Sequence, residues 1–398
     1  MGSVFNQILA ASWAAILSLP ARLGASAVAV FGTACVVGVF ISVLSMAAGF
    51  EKTLVGAGSD STMIVMRNGA TSELNSGISN EQAQLIADAP GVRHDEAGRP
   101  VAAAELYVIV DIPTREGGNS SANVPLRGVQ AHSYTVRDNL RIVEGRAFHE
   151  GQDELIVGRA AQSKFAGLNV GDAIKIGQNE WRIVGAFEAG GSVSESELWC
   201  DAPILQQAYR RGSSFQSVRV KVDGTAALDS FKKALASDPR LNVDLQSEKD
   251  YYATQSEGMT AFIKWVGYPL AILMAFGAVF GALNTMYASV SARTREIATL
   301  RALGFGSSSV ICSTLVESLL LAFVGGLIGS VVVYFVFNGY TVSTMNGASF
   351  SQVVFAFAVT PELLVLGIYA VVLIGVLGGL FPAIRAVRVP IVVALRES

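Results

Sequence analysis

The chain has 398 residues, of which 51% are hydrophobic and only 15% charged, with a formal net charge of −3. That balance excludes an ordinary soluble globular protein, and the negative charge of the polar stretch described next argues against a nucleic-acid partner, whose phosphates demand basic patches. The charges are also unevenly placed: Glu51 to Ala261 carries 28 of the 32 acidic and 21 of the 29 basic side chains, a formal charge of −7 for that stretch.

Residues 1–50 read as a cytoplasmic N-terminus followed by an apolar span from Leu23 to Phe50. Its length exceeds the apolar core of a cleaved signal peptide and no small-residue cleavage site closes it, so it reads as a transmembrane helix. Residues 51–261 are long enough to bury a core of their own. Within them Thr62 to Arg67 reads as a strand, Asn80 to Ala89 as a helix and Val101 to Val110 as a strand. The same order recurs as Ser217 to Val222, Ala226 to Ser237 and Leu241 to Leu245. These halves, about 51–120 and 202–250, are expected to form one α/β subdomain. Between them, about 121–201, short apolar runs such as Glu154 to Val157, Ala173 to Ile176 and Trp181 to Phe187 alternate with glycine turns and predict a β-rich insert. Cys35 and Cys312 fall in or beside spans and Cys200 is alone in the large domain, which excludes a disulfide within it.

Three more spans are expected in residues 262–398: Trp265 to Ala292, about Val310 to Phe337, and Leu363 to Ile384. Few helix breakers separate Glu248 from Lys264, so the second span is expected to run outward as one helix. Phe50 to Val55 lengthens the first span until Gly56 and Gly58 end it. Between the second and third spans lies Ser291 to Gly304, SARTREIATLRALG, a short basic helix that must sit at a membrane face. The fold class is thus four transmembrane helices, with a large α+β extracytoplasmic domain between the first and second.

Arg22, Arg293, Arg295, Arg301, Arg385, Arg388 and Arg396 flank the spans on one side, whereas Asn338 to Thr360 carries no charge. Positive flanks stay in the cytoplasm, so both termini are expected inside and the large domain outside.

No GxxxxGK[ST] occurs, so the sequence offers no phosphate-cradling loop, and ATP with its Mg would be used by a partner. The three histidines, His94, His132 and His149, match no zinc spacing, and neither HExxH nor GxSxG is present. Asp95 with Glu96, and Asp153 with Glu154, read as solvated surface rather than acid–base pairs. No catalytic residue and no metal ligand is expected. Glu317 is the one ionisable group in the third span. Its nearness to a helix start favours a structural use over proton coupling. GGLIG at Gly325 to Gly329 and GVLGG at Gly375 to Gly379 space small residues four apart, which suits close helix packing.

Three segments then carry a resemblance: TREIATLRALGFG after one span, ESLLLAFVGGLIG in the next and FPAIRAVRVPIVVALR at the end. Together they resemble the FtsX-like domain of MacB-type ABC transporter permeases. VPLRGV, LRIVEGRAF, ELIVG, GLNVGDAIKIGQNEWRIVGAF and SELWC resemble the periplasmic core domain of the same superfamily. The resemblance implies a coupling helix over about 293–304, in which Arg293, Thr294, Arg295, Glu296, Ile297, Leu300, Arg301, Leu303 and Gly304 meet a separate nucleotide-binding subunit. If helical, Ile297, Leu300 and Leu303 give an apolar stripe, and Arg293, Arg295, Glu296 and Arg301 a polar one. Pro382, Arg385, Arg388, Pro390, Leu395 and Arg396 would form a second contact, although IVV after Pro390 departs from the acidic pair of the family pattern.

The family further implies mechanotransmission across a bacterial inner membrane. Its partners would be the ATPase, a second permease copy or related permease and, in some members, a periplasmic adaptor and outer-membrane channel. The substrate classes implied are amphipathic, lipidic, peptide or drug-like. The alternative within the family is an FtsX-like regulator of a cell-wall hydrolase, without transport.

Overall fold

The computed structural model describes residues 4–17, 23–115, 120–347 and 349–396. In chain order it places α1 (Val4–Leu17), α2 (Leu23–Val55), β1 (Thr62–Arg67), α3 (Asn80–Ala87), β2 (Ala102–Pro113), β3 (Ser121–Val129), α4 (Ser133–Val136), β4 (Arg141–Gly145), β5 (Glu154–Gly158), α5 (Arg159–Lys164), β6 (Ala173–Ile176) and β7 (Asn179–Glu188). These are followed by β8 (Leu198–Asp201), α6 (Ala202–Ala208), β9 (Ser217–Lys221), α7 (Thr225–Ser237), β10 (Val243–Ser247), α8 (Glu248–Ala292), α9 (Thr294–Ala302), α10 (Ser307–Phe337), β11 (Thr341–Asn346), β12 (Ser351–Ala356), α11 (Pro361–Arg388) and α12 (Ile391–Arg396). The chain divides into two compact units: 1–48 with 262–340 and 357–398, and 49–261 with 341–356.

The first unit contains helices in which four apolar runs are long enough to cross a membrane, in α2, α8, α10 and α11. Glycines decide how they approach. A Cβ on Gly325 would lie 2.5 Å from the Val30 carbonyl of α2, and Gly329, one turn on, abuts Ala34. Gly375 and Gly379 of α11 similarly meet Leu319 and Ser318 of α10, while Gly378 meets Ala282 of α8. Ser318 Oγ donates to the Gly375 carbonyl at 2.8 Å across this contact. Both glycine clusters therefore serve helix packing in a medium where lipid offers no hydrophobic drive between helices.

In the second unit nine strands follow one another in the sheet order β10-β1-β9-β2-β3-β8-β5-β7-β4, with β6 on β7. β1 and β2 are not neighbours, because β9 lies antiparallel between them, and β9 and β10 in turn flank β1. The two β-α-β halves thus interlock as split units, the arrangement of a ferredoxin-like sheet. β3 continues β2 as an antiparallel partner and opens the insert, whose core gathers Leu126, Leu155, Phe165, Trp181 and Leu198.

One boundary differs from the sequence reading, which assigned all of 262–398 to the membrane part. Thr341–Ala356 is a β-hairpin grouped with the large domain. Val354 enters the insert's core, its N–H donates to Ser196 Oγ at 2.9 Å, and the Phe355 ring meets Phe50 edge-on at 5.4 Å. Burial of Val353, Val354 and Phe355 accounts for the absence of charge in this loop. α1 was also not anticipated: an uncharged apolar helix of 14 residues is too short to register as a span.

Replacing Gly325 by leucine should force α10 away from α2, with an overpacking penalty of about 1–3 kcal/mol. A lowered unfolding midpoint of the chain in detergent, against an unchanged midpoint for Gly277→Leu, whose Cβ position is open, is the expected result.

Candidate functional site

α8 breaks at Arg293, and α9 follows at once as a separate nine-residue helix. Gly304, at φ +95°, ends α9: its N–H bonds the Arg301 carbonyl at 3.1 Å and Phe305 N–H bonds Leu300 at 3.1 Å. A left-handed residue at this point favours glycine, which explains the LGFG sequence.

The structure divides the residues assigned to this helix into an inner and an outer set. Ile297 is buried with Val290, Val310 and Ala386. Arg293 is 9% exposed, and its guanidinium grips Glu296 through two bonds of 2.9 Å and reaches Glu317 of α10 at 3.3 Å. Ser289 Oγ donates to the other Glu317 oxygen at 3.1 Å. Glu317 is thus held by a guanidinium and a hydroxyl. Arg301 donates to the Val389 carbonyl at 3.0 Å, tying α9 to the tail, and Thr294 Oγ1 donates to the Ser291 carbonyl at the end of α8 at 2.9 Å. The outer set is Arg295, Glu296 and Leu303, with Leu300 half-buried. In the tail, Pro382 is buried within α11, Arg385 lies over the Tyr287 ring at 5.4 Å, Arg388 and Pro390 are exposed, and Leu395 and Arg396 close α12. Arg22 lies outside the described residues.

A second constellation, absent from the sequence reading, lies in the large domain where α8 begins. Three arginines and four glutamates are buried together. Arg127 of β3, 1% exposed, binds Glu197 through two bonds of 2.7 Å, and its Nη1 reaches Glu73 at 2.8 Å and Glu105 at 3.0 Å. Arg219 of β9 binds Glu73 at 2.9 Å, Glu105, and Glu248, the first residue of α8, at 2.9 Å. Arg137 clasps Glu105 at 2.7 and 2.8 Å. Neutral groups complete it: Trp199 Nε1 donates to Glu197 at 2.7 Å, Ser217 Oγ to Glu73 at 2.6 Å, and the Glu73 N–H to Tyr251 Oη at 3.1 Å. Arg127 also stacks 4.8 Å over the Tyr107 ring.

The cluster joins the split β-α-β subdomain (Glu73, Glu105, Arg219), the insert (Arg127, Glu197) and the first turn of α8 (Glu248, Tyr251, Tyr252). The end of α2 is fixed at the same place. Gly58 lies against the Glu248–Lys249 backbone, leaving no room for a Cβ, and Lys249 pairs with Asp60 at 3.0 Å.

Burial pushes the Glu105 carboxyl up, but Arg137, Arg219 and Arg127 outweigh it and hold the group down at about 2, against an ordinary 4.5. Glu73, likewise buried, is held well below its ordinary value by Arg127 and Arg219. A carboxyl lowered by folding stabilises fully above its unfolded value and loses that contribution as pH falls through the folded one. The other acidic pairs serve locally: Asp95 binds Arg99 at 2.9 Å and Glu154 binds Arg146 at 2.6 Å. Among the described residues no group of three or more His, Cys, Asp or Glu is placed to hold a metal ion.

Two outcomes follow for the large domain. Its melting temperature should be flat from neutral pH down to about 4.5 and fall steeply between about 4.5 and 2, the window set by Glu105, as followed by circular dichroism. Arg127→Leu leaves Glu197 and Glu73 buried without that partner and should destabilise by about 3–5 kcal/mol, whereas Arg141→Leu, which removes an exposed pair with Glu188, should be nearly neutral in the same denaturant titration.

Comparison with known proteins agrees with this architecture. The profile of the MacB-like periplasmic core domain matches residues 26–238, more than half the chain, and that of the FtsX-like permease C-terminal domain matches 269–391. A macrolide export ATP-binding/permease protein MacB from Pasteurella multocida is 26% identical over 315 residues, covering 74% of this chain and 46% of the relative. A pyoverdine export ATP-binding/permease protein PvdT from Pseudomonas entomophila is 26% identical over 341 residues, covering 81% of this chain and 49% of the relative. The chain therefore spans about half the length of these curated relatives. The crystal structure of the periplasmic region of MacB from Actinobacillus actinomycetemcomitans aligns with 50% of this chain and 94% of its own, at 16% identity and a TM-score of 0.38. With both profiles matched in order, the apolar helices around a large α/β domain identify the chain as a member of the MacB/FtsX-type ABC transporter permease family.

Proposed function

We propose that this chain is the membrane permease subunit of an ABC transporter, converting ATP hydrolysis by a separate nucleotide-binding subunit into movement of its extracytoplasmic domain. The observation that carries this reading is α8. It is a single helix of 45 residues whose first residue is bound in the buried charge cluster and whose last, Ala292, stands one residue before α9. A push on α9 is passed to α8 through Arg293 and to α10 through Glu317, and α8 ends on a junction that two subdomains share. Mechanotransmission needs an element anchored at both ends, and α8, which carries Pro269 in its interior, has such anchors at Glu248 and beside Arg293.

In this reading the nucleotide-binding subunit meets Arg295, Glu296 and Leu303, with the α12 tail beside α9 as a second contact. ATP and Mg belong to that partner. A second permease copy or a related permease completes the pair that two ATPase subunits require. The membrane is the bacterial inner membrane, with both termini cytoplasmic and the large domain periplasmic or extracellular. The work done is export or extraction of an amphipathic, lipidic, peptide or drug-like substrate. The export named for the macrolide and pyoverdine relatives supports that class, and an adaptor and outer-membrane channel would serve it in a two-membrane envelope.

Two measurements test the reading. Leu303→Asp combined with Arg295→Glu should abolish co-purification of the nucleotide-binding subunit, whereas Glu317→Gln should leave it bound and raise ATP hydrolysis uncoupled from transport. Retained binding in the double variant would contradict the assigned face. In a cysteine-free background, a thiol at the exposed Ser237 should react with an impermeant maleimide added outside intact cells, and one at Ser307 only after lysis; the opposite pattern would invert the topology.

A further inference from the structure

The seam between α10 and α11 is closed along the half nearer α9, where Gly375 and Gly379 meet Leu319 and Ser318. At Gly326 a Cβ would lie 2.1 Å from Val371 Cγ2, so the two helices touch there as well. Along the other half, the seam opens into a groove of about 420 Å³ shared by Gly326, Leu327 and Ser330 of α10 with Leu364, Ile368 and Val371 of α11. Gly326 and Val371 are buried and Ser330 half-buried, while Leu327 and Ile368 are 54% and 49% exposed. The floor is therefore made of small or recessed side chains and the rims of large ones. The groove runs from Phe323 to Tyr334 and Phe335, which stand within one turn of the end of α10.

We infer that this groove is a lipid site: it seats one acyl chain of a bilayer phospholipid from the leaflet at the β11 end of α10, with the head group level with Tyr334. Length argues first. Phe323 to Tyr334 covers about 17 Å of helix, close to the roughly 15 Å that one leaflet contributes to the hydrocarbon core. The groove follows the direction of the spans, as acyl chains do, and its volume is that of a ligand pocket. Ser330 and Tyr334 carry the only hydroxyls in its lining, so it offers methylenes a surface and a charged head group none. Tyr334 and, just beyond the helix, Tyr340 are exposed at the end where the head group would lie, the level that amphipathic rings favour. Shape then separates a lipid from a helix of a second copy. Because both rims belong to neighbouring helices, a third helix would rest on them and insert single side chains, whereas an acyl chain fits along the floor and touches protein on three sides. Lipid tails are as apolar as leucine, so preference for this seat over the surrounding lipid comes from those added van der Waals contacts. The inference goes beyond the coupling scheme: it rests on the membrane placement of α10 and α11 and is independent of any nucleotide-binding partner.

The test uses the full chain in vesicles of phosphatidylethanolamine and phosphatidylglycerol that include a phosphatidylglycerol with a diazirine midway along one acyl chain. After irradiation, peptide mass spectrometry should find adducts at Leu327, Ser330 and Ile368 about tenfold more often than at Val332 and Leu373. Those two lie on the same helices outside the groove and are equally open, at 52% and 59% exposure. Ser330→Phe, which fills the floor, should bring labelling at Leu327 and Ile368 down to the level of Val332 and Leu373 and leave those two unchanged. Equal labelling inside and outside the groove of the unaltered chain would reduce the site to ordinary surrounding lipid and overturn the inference. Weaker labelling inside the groove than outside would overturn it too, because a protein helix would then cover the seam. Both readings come from the unaltered chain, so they decide the matter even where Ser330→Phe fails to insert.

Discussion

The buried cluster of Arg127, Arg137 and Arg219 with Glu73, Glu105, Glu197 and Glu248 is the constraint on which the large domain depends. Each of these ions has lost several kcal/mol of hydration, which only its partners restore, so none can leave its place alone. They come from both subdomains and from the first turn of α8. A displacement of Glu248 must therefore either carry Arg219, and with it Glu73 and Glu105, or break the cluster outright. The physical effect is to make the start of α8, the split β-α-β sheet and the edge of the insert one mechanical body. Hydrophobic contacts at the same place would tolerate sliding; guanidinium–carboxylate geometry does not.

The same economy of fixed joints recurs at the other end of α8. Arg293 sits between Glu296 on α9 and Glu317 on α10, and Arg301 holds the tail, so α9 is tied on three sides and leaves Arg295, Glu296 and Leu303 outermost. The glycines of α10 and α11 then let neighbouring helices touch backbone to side chain, which transmits displacement with little slack. Force transmission, as proposed above, would run through these joints.

Much of this was legible in the sequence because it is written in long, one-dimensional signals. Apolar runs gave the spans, the arginine-rich interruption gave α9, and alternation gave strands such as Thr62–Arg67, found at those bounds. The assignment of GGLIG and GVLGG to packing also follows from spacing alone. The charge cluster was not legible, because its members are 175 residues apart at the extremes, Glu73 to Glu248, and single charges in strands read as ordinary surface alternation. The available signal was a lone ion in an otherwise apolar strand: Glu105 in AAAELYVIV, Arg127 in VPLRGV and Arg219 in SVRV. Arg293 and Arg301 were grouped with the partner face because helix periodicity cannot tell a side chain turned toward Glu317 or Val389 from one turned outward. The Thr341–Ala356 hairpin was missed for a related reason, since a short uncharged loop between spans gives no sign of the domain it completes.

The central claim is that α8 delivers movement at α9 to the large domain through the Glu248 anchor. Hydrogen exchange of the reconstituted transporter, compared with and without ATP and Mg, tests it most directly. The account predicts nucleotide-dependent changes at Glu248 to Tyr252 and in the strands bearing Arg127 and Arg219, and their loss in Glu248→Ala while ATP hydrolysis continues. Changes in those strands that persist in Glu248→Ala, or a large domain indifferent to nucleotide, would contradict it.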